Sequence, residues 1–277
     1  MKHDDLSFFC GVDIAPAQST RADDGAIVVL GAKPRRALAE AVRFDRPEDM
    51  IVAALFARKI RNASACQWSG YLHLLHRRFG FVSIMNDPGG GGLWLRKELA
   101  SSRQLIENVE QDATPVVTPD DPTAPVVAHY ILHLFKRGDQ AIESLWPNLP
   151  GDDVLLDAAH GALREALDDA QIALPVDAHE WRREQVMGWS EERQFALRNL
   201  SELADQLRNI TVATQDDGTF AFTKRNARQF SARGRKDVAY AFMYAWIAFL
   251  AWIKRGEDAW ETSAEDTAMI LTRPSRA

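Results

Sequence analysis

Cysteine is scarce in this sequence of 277 residues, since only Cys10 and Cys66 occur. One lies in a predicted strand and the other in a predicted helix, so neither a disulfide framework nor a cysteine metal site is supported. Because disulfides are rare in reducing compartments, we expect a cytoplasmic protein. The 46% of hydrophobic residues is enough to fill a globular core.

Long hydrophobic runs are also missing. The opening residues, MKHDDLSFFC, lack the basic and apolar regions of a signal peptide. The longest apolar stretch covers residues 238–253 and is shorter than the ~20 residues that a membrane-spanning helix needs. We therefore predict a buried helix there and no membrane partner.

A nucleotide-binding loop is absent as well. Four glycines occupy positions 89–92, and glycine lets backbone amides approach an anion closely. No GxxxxGK[ST] motif occurs there or elsewhere in the chain. The sequence therefore does not encode a nucleotide-driven motor.

Net positive charge is lacking, because the formal net charge is -6. This excludes a wholly basic nucleic-acid-binding coat but not a local DNA groove. Residues 223–236 contain six basic side chains and no acid, and this segment leads straight into Asp237. The six are Lys224, Arg225, Arg228, Arg233, Arg235 and Lys236.

The first hundred residues predict a mixed sheet with helical crossovers. Apolar runs at 8–15 and 25–32 indicate a β-hairpin, with a polar turn at 20–25. Apolar spacing predicts helix through much of 46–79, then a strand that ends in Asp87, then a helix over 93–102. This β-β-α-β-α order predicts an α/β fold.

The rest of the chain gives a less regular pattern. Residues 111–125 are rich in Pro, Asp and Thr and predict a loop. Asp217-Gly218 predicts the turn of a second hairpin over 210–224. The other predicted elements are helices over 126–138, 152–171 and 190–210, the last with Ser190 as N-cap, and a short strand over 172–175.

Three aspartates share a structural setting: Asp13 in the first strand, Asp87 at a strand end and Asp237 at the start of the last helix. In an open sheet such positions can meet at one edge. Two carboxylates about 4 Å apart repel by roughly 1 kcal/mol in water and roughly 4 kcal/mol at a dielectric of 20, so they require protons, basic partners or cations.

All-oxygen ligands suit Mg²⁺ or Mn²⁺, and a pair of such ions supports phosphodiester cleavage. Each aspartate also has a simpler interpretation taken alone. Asp13 fits the end of a strand ladder, Asp87 fits a turn, and Asp237 fits a helix N-terminus, where the dipole favours a negative charge.

The segments GVDIAPAQSTRADDGAIVVLG, VSIMNDPGGGGLWLRKEL and GRKDVAYAFMYA resemble the three signature blocks of the nuclease domain of phage terminase large subunits, a ribonuclease H-like fold. The resemblance implies an α/β mixed sheet flanked by helices in a single domain, 1–277, with residues 101–190 as a mainly helical insertion. It further implies a metal-dependent endonuclease that cuts concatemeric viral DNA during packaging. Asp13, Asp87 and Asp237 would be its catalytic and metal-binding acids, with two Mg²⁺ or Mn²⁺ ions.

The resemblance also implies partners. Family members carry an ATPase motor upstream of the nuclease, whereas this chain begins a few residues before the first strand. We therefore expect a separate packaging ATPase chain, a small terminase subunit, a portal protein and double-stranded DNA, in the host cytoplasm. Many relatives have a further acid where this chain has Tyr240, so a fourth ligand would come from elsewhere, with Asp23 or Asp24 as weak candidates.

Several alternatives remain open at this point. The basic residues of 224–236 either hold DNA phosphates or keep a sheet edge soluble. The histidines at 73, 76, 129 and 133 fit ordinary packing or surface positions better than a metal site. For the whole chain, the alternatives to a packaging nuclease are a junction resolvase-like nuclease and a non-catalytic DNA-binding or assembly module.

Overall fold

The computed structural model describes residues 6–14, 25–34, 50–89, 91–174, 191–208, 213–214, 220–221 and 237–271. Within these ranges the strands are β1 Ser7–Asp13, β2 Gly25–Pro34, β3 Met50–Ile60, β4 Phe81–Asn86, β5 Arg103–Ile106, β6 Val109–Asp112, β7 Leu132–Leu134, β8 Ile172–Ala173, β9 Ala213–Thr214 and β10 Phe220–Ala221. The helices are α1 Ala65–Phe79, α2 Gly92–Leu99, α3 Gln140–Leu145, α4 Asp152–Asp168, α5 Glu191–Arg208 and α6 Asp237–Leu271.

Six of these strands form one mixed sheet in the order β7-β4-β1-β2-β3-β8. Strands β1, β2 and β3 are antiparallel neighbours, while β4 runs parallel to β1 and β7 runs parallel to β4. The pairs β5-β6 and β9-β10 form separate two-stranded sheets. The predicted α/β fold, a mixed sheet flanked by helices, is confirmed.

The helix predicted through much of 46–79 is only half correct. Met50–Ile60 is a strand that pairs with β2 along its length, and only the second half, Ala65–Phe79, is helical. Burial alternates along β3, since Met50, Val52 and Ala54 are buried while Ile51 and Leu55 are exposed. The alternation that defines the strand was hidden because apolar residues also occupy its solvent face.

The helix predicted over 126–138 is wrong. This stretch contains β7, which pairs with β4 through Ile84 and Leu132, Met85 and His133, and Asn86 and Leu134. The apolar spacing there fits both periods, and pairing with the edge of β4 decides in favour of the strand.

The other elements match their predictions wherever the structure describes them. The first hairpin, the strand before Asp87, the helix after the glycines and the antiparallel pair β9-β10 are present, as are the helices corresponding to α4 and α5 and the short strand β8. Residues 20–24 of the predicted turn, Ser190 and Asp217-Gly218 lie outside the described residues.

The stretch 101–190 does more than add helices. It contributes α3 and α4 and the hairpin β5-β6, but also β7 and β8, which form the two edges of the main sheet. Part of this stretch is therefore built into the sheet. The expectation of a mainly helical insertion over 101–190 within the domain stays a prediction. The prediction of a single domain over 1–277 stays a prediction.

The core has two layers, one on each side of the sheet. On one side, residues of β1 such as Phe9 pack with α3, α4, α5 and α6. On the other side, Cys10 and Val12 pack with α1 and α2. Cys66 is exposed on α1, and both cysteines are free, as the sequence predicts.

Helix α6 crosses the sheet in direct contact with the main chain of β1. The backbone of Ala241 and Ala245 occupies the position where a side chain on Gly11 would begin. The segment Asp237–Arg255 is long and apolar enough to cross a membrane by length and composition, yet 78% of that window is buried inside the protein. The predicted buried helix is confirmed.

This contact predicts that Gly11→Ala destabilises the protein. The new methyl group would meet helix backbone, which cannot rotate away, so we expect a loss of about 1–3 kcal/mol or more of unfolding free energy in urea. Gly161→Ala in α4 is the matched control, because nothing lies within 4 Å of its added methyl. It should stabilise by about 0.5–1 kcal/mol. Equal midpoints for Gly11→Ala and the native chain would contradict the contact.

Candidate active site

Asp13 and Asp87 lie at the carboxyl ends of neighbouring parallel strands. Val12 pairs with Asn86, and the amide of Asp87 donates to the carbonyl of Val12 at 3.3 Å. Asp13 and Asp87 are therefore next to each other in register. We call this side of the sheet, where β1, β4 and β7 end, the carboxyl edge.

Both side chains belong to the face of the sheet that α6 covers. Phe9 on β1 and Met85 on β4 belong to the core layer that contains α6. Because side chains two residues apart share a face, Asp13 follows Phe9 and Gly11, and Asp87 follows Met85. Both aspartates are half-buried.

Helix α6 runs antiparallel to β1, which brings its first residue toward the carboxyl edge. Ala241 and Ala245 lie over Gly11, whereas Phe249 and Trp252 contact Phe9, at centroid distances of 5.3 and 5.4 Å. Extending the helix back by one turn from Ala241 leads beyond Gly11 to Asp237, which is 6% exposed. The amide of Ala239 donates to Gln206 Oε1 of α5 at 3.0 Å, which satisfies one donor of the first turn.

The charges of both strand-end acids affect the pKa of Tyr244 on α6. Its side chain is buried, and burial raises the pKa of its hydroxyl well above 10, with further contributions from the negative charges of Asp13 and Asp87 and from Tyr240. Its ring packs against Phe135 at 4.9 Å and lies parallel to Tyr240 at 6.3 Å. The hydroxyl of Tyr244 therefore stays protonated at neutral pH.

The glycine-rich turn fixes the backbone after Asp87. Asp87 Oδ1 accepts from the amide of Gly89 at 2.9 Å, and Asn86 Nδ2 donates to the carbonyl of Gly92 at 3.1 Å. A side chain on Gly92 would overlap the carbonyl of Asp87, so glycine permits α2 to begin directly beside the acid. One carboxylate oxygen of Asp87 is thereby oriented by the turn.

The residues at this edge have the right chemistry for a hard divalent cation, because Asp13 and Asp87 offer carboxylate oxygens from rigid strand ends. Among the described residues, however, no group of three or more His, Cys, Asp or Glu side chains is close enough to hold a metal ion. The structure thus brings Asp13 and Asp87 together and directs Asp237 toward the same edge, without closing a three-ligand cluster.

Other predicted site residues fall outside the part of the chain that the structure describes. These are the fourth-ligand candidates at 23 and 24 and the six basic residues Lys224, Arg225, Arg228, Arg233, Arg235 and Lys236. Tyr240, at the position of the additional acid, is half-buried and lies 5.7 Å from the ring of His160.

The histidines occupy packing positions. His76 Nδ1 accepts from the amide of Phe81 at 3.1 Å, and its ring lies 4.8 Å from that of His129. His133 Nδ1 contacts Asp139 Oδ1 at 3.1 Å, and its Nε2 lies 3.0 Å from Arg255 of α6. Their packing roles agree with the interpretation favoured by the sequence.

Sequence reasoning missed three residues near this edge. Tyr244 is two helical turns after Asp237, and that spacing on a single helix face is the signal that would have found it. Lys136 and Arg137 follow β7 after Phe135, but the helix predicted over 126–138 concealed that they reach the carboxyl edge. Recognising ILHLF as a strand would have placed them.

Comparisons with known proteins give structural likeness only. No family model matches the sequence, and no curated protein matches it. The structure is similar to the large terminase nuclease from thermophilic phage G20c, with a TM-score of 0.42 and 13% identity over 88% of this chain and 82% of that one. A magnesium-bound structure of that nuclease gives 0.42 and 14%, covering 87% and 80% of the two chains.

The nuclease domain of the large terminase subunit gp2 of bacterial virus Sf6 is also similar, with a TM-score of 0.35 and 12% identity over 88% of this chain and 87% of that one. All three are terminase nucleases, the class whose signature blocks the sequence resembles. Because these TM-scores lie below 0.5, the function proposed for this chain rests on its own residues.

The buried histidines predict acid sensitivity. Burial lowers the pKa of His73 and of His76 from 6.5 to about 4, with neighbouring His76, Arg77 and His129 adding to the effect at His73, and His129 at His76. Between these pH values the unfolded chain binds protons that the folded chain does not, so stability falls as the pH drops from about 6.5 to about 4.

Urea unfolding between pH 7 and pH 4.5 measures this slope. His73→Gln should flatten it because one of the two titrating groups is gone. An unchanged slope in that variant would contradict the assignment to His73.

Proposed function

We propose that the protein is a divalent-metal-dependent DNA endonuclease that cuts concatemeric viral DNA during genome packaging. The observation that carries the proposal is the pair Asp13 and Asp87, adjacent in register on neighbouring parallel strands and on the same face of the sheet. The resemblance of three sequence blocks to terminase nucleases supports the packaging role.

Two carboxylates fixed side by side repel each other, and a cation bound between them offsets that repulsion. Each comes from a strand end whose backbone is hydrogen-bonded, so the pair cannot separate easily. If these two positions served only the stability of the fold, Asn side chains would suit them better, because they carry no charge. The arrangement is therefore better explained by cation binding than by folding stability.

Asp13, Asp87 and Asp237 would hold Mg²⁺ or Mn²⁺, with two ions in the complete site. When bound, such ions activate water and stabilise the leaving oxygen of a phosphodiester. The chain itself orients one of the acids, because the turn amide of Gly89 donates to the carboxylate of Asp87.

Double-stranded DNA would be the substrate. The basic residues of 224–236 directly precede Asp237 in the sequence, so their charges would hold phosphates near the acids without reading bases. A packaging ATPase on a separate chain, a small terminase subunit and a portal protein would be the partners.

We expect Asp13→Asn and Asp87→Asn each to abolish Mn²⁺-dependent nicking of plasmid DNA while leaving the melting temperature within a few degrees of the native value. Each change removes a carboxylate charge but keeps its shape. Asp112→Asn, an exposed acid on β6, is the matched control and should cut normally. Cleavage that persists in both site variants would overturn the assignment.

Metal binding has a readout that does not depend on cleavage. Saturating Mn²⁺ should raise the melting temperature of the native chain and of Asp112→Asn, because a ligand that binds only the folded state stabilises it by RT ln(1 + [L]/Kd). At about 100 times Kd this is about 2.7 kcal/mol. EDTA should reverse the shift, and a full shift in Asp13→Asn would contradict the site.

The two alternatives give different results in the same assays. A junction resolvase-like nuclease would cut four-way junctions in strong preference to linear duplex. A non-catalytic assembly module would bind DNA but cut none with any divalent metal.

A further inference from the structure

We propose that the turn formed by Lys136 and Arg137, here called the basic turn, binds a DNA phosphate next to the acidic pair and so positions the strand to be cut. This inference rests on the proposed nuclease function and adds a contact surface to it. The surface is formed by residues from a stretch that the sequence assigned to a helix.

The register of β7 brings the basic turn to the carboxyl edge. Leu134 pairs with Asn86, and the amide of Phe135 donates to the carbonyl of Asn86 at 2.9 Å. Phe135 is therefore level with Asp87, and Lys136 and Arg137 continue past it. Because adjacent strands lie about 4.8 Å apart, the turn begins one strand away from Asp87 and two from Asp13.

Buried hydrogen bonds hold the turn in place. Asp139 is buried, and its carboxylate accepts from the amides of Leu134 at 2.7 Å and Ala141 at 2.9 Å. The same carboxylate contacts His133 Nδ1, whose other ring nitrogen faces Arg255 of α6 at 3.0 Å. With Arg255 as the donor at Nε2, the proton of His133 lies on Nδ1 and is donated to Asp139.

This network also ties the turn to the helix that carries Asp237. Phe135, immediately before the turn, packs on Tyr244 of that helix at 4.9 Å. The strands that carry the acidic pair, the helix that carries Tyr244 and the basic turn thus pack against one another. The backbone of the basic turn therefore stays at a fixed distance from the acids, as a residue that positions the substrate requires.

The charges of the turn point to an anion as the partner. Lys136 and Arg137 are both exposed. A phosphodiester that reaches the acids would bring a neighbouring phosphate past these two cations, and Arg and Lys are the residues that most often hold such groups.

The test is the salt dependence of DNA binding, measured by fluorescence anisotropy in EDTA so that no cleavage occurs. Each phosphate contact contributes about 0.9 to the slope of log K against log[salt]. Lys136→Ala and Arg137→Ala should each lower the magnitude of the slope by about 1, and the double variant by about 2, equally on two duplexes of unrelated sequence.

Two controls accompany these variants. Lys33→Ala removes an exposed lysine from the opposite edge of the same sheet and should leave the slope unchanged. The exchange Lys136→Arg with Arg137→Lys keeps both charges and should retain the native slope. The melting temperature of each variant is measured as well, so that a lower slope counts only for a variant that is folded at the assay temperature.

A native slope in the double alanine variant, or an equal drop in Lys33→Ala, would overturn the inference. Failure of the nuclease proposal gives a different pattern, since plasmid cleavage would be absent while the slopes still differed. Conversely, normal cleavage by the native chain together with an unchanged slope in the double variant would reject the basic turn alone.

Discussion

The close contact between α6 and the main chain of β1 is the constraint on which the rest of the structure depends. Gly11 has no side chain, so the helix backbone at Ala241 and Ala245 rests directly on the strand. At that short distance the helix cannot slide or rotate without steric overlap. Its antiparallel course therefore directs Asp237 toward the carboxyl edge and places Tyr244 where the charges of Asp13 and Asp87 add to the effect of burial in raising the pKa of its hydroxyl.

The carboxyl edge concentrates charges that a stable fold would otherwise avoid. Two aspartates follow one another in register, so their negative charges repel each other across neighbouring strands. The fold tolerates this arrangement because each acid extends from a hydrogen-bonded strand end, where the backbone itself is fully satisfied.

Local patterns predicted the hairpins, the strand before Asp87, helix α4 and the buried final helix, because turn residues and apolar runs there are unambiguous. They failed over Met50–Ile60, where apolar residues on the exposed face, Ile51 and Leu55, imitate helical spacing. They failed again at β7, a three-residue strand that exists only because β4 presents an open edge to it. In both cases a partner distant in sequence selected the conformation.

The sequence by itself determined which residues carry the candidate chemistry, since an aspartate inside an apolar strand or before a glycine run is costly enough to be noticed without a structure. Only the tertiary structure decided which of them meet. Register across β1 and β4 made neighbours of Asp13 and Asp87, which are far apart in the chain, and register across β4 and β7 added Lys136 and Arg137 to the same edge. Register is a property of paired strands, set by hydrogen bonds and by which face each strand buries, and no single segment contains that information.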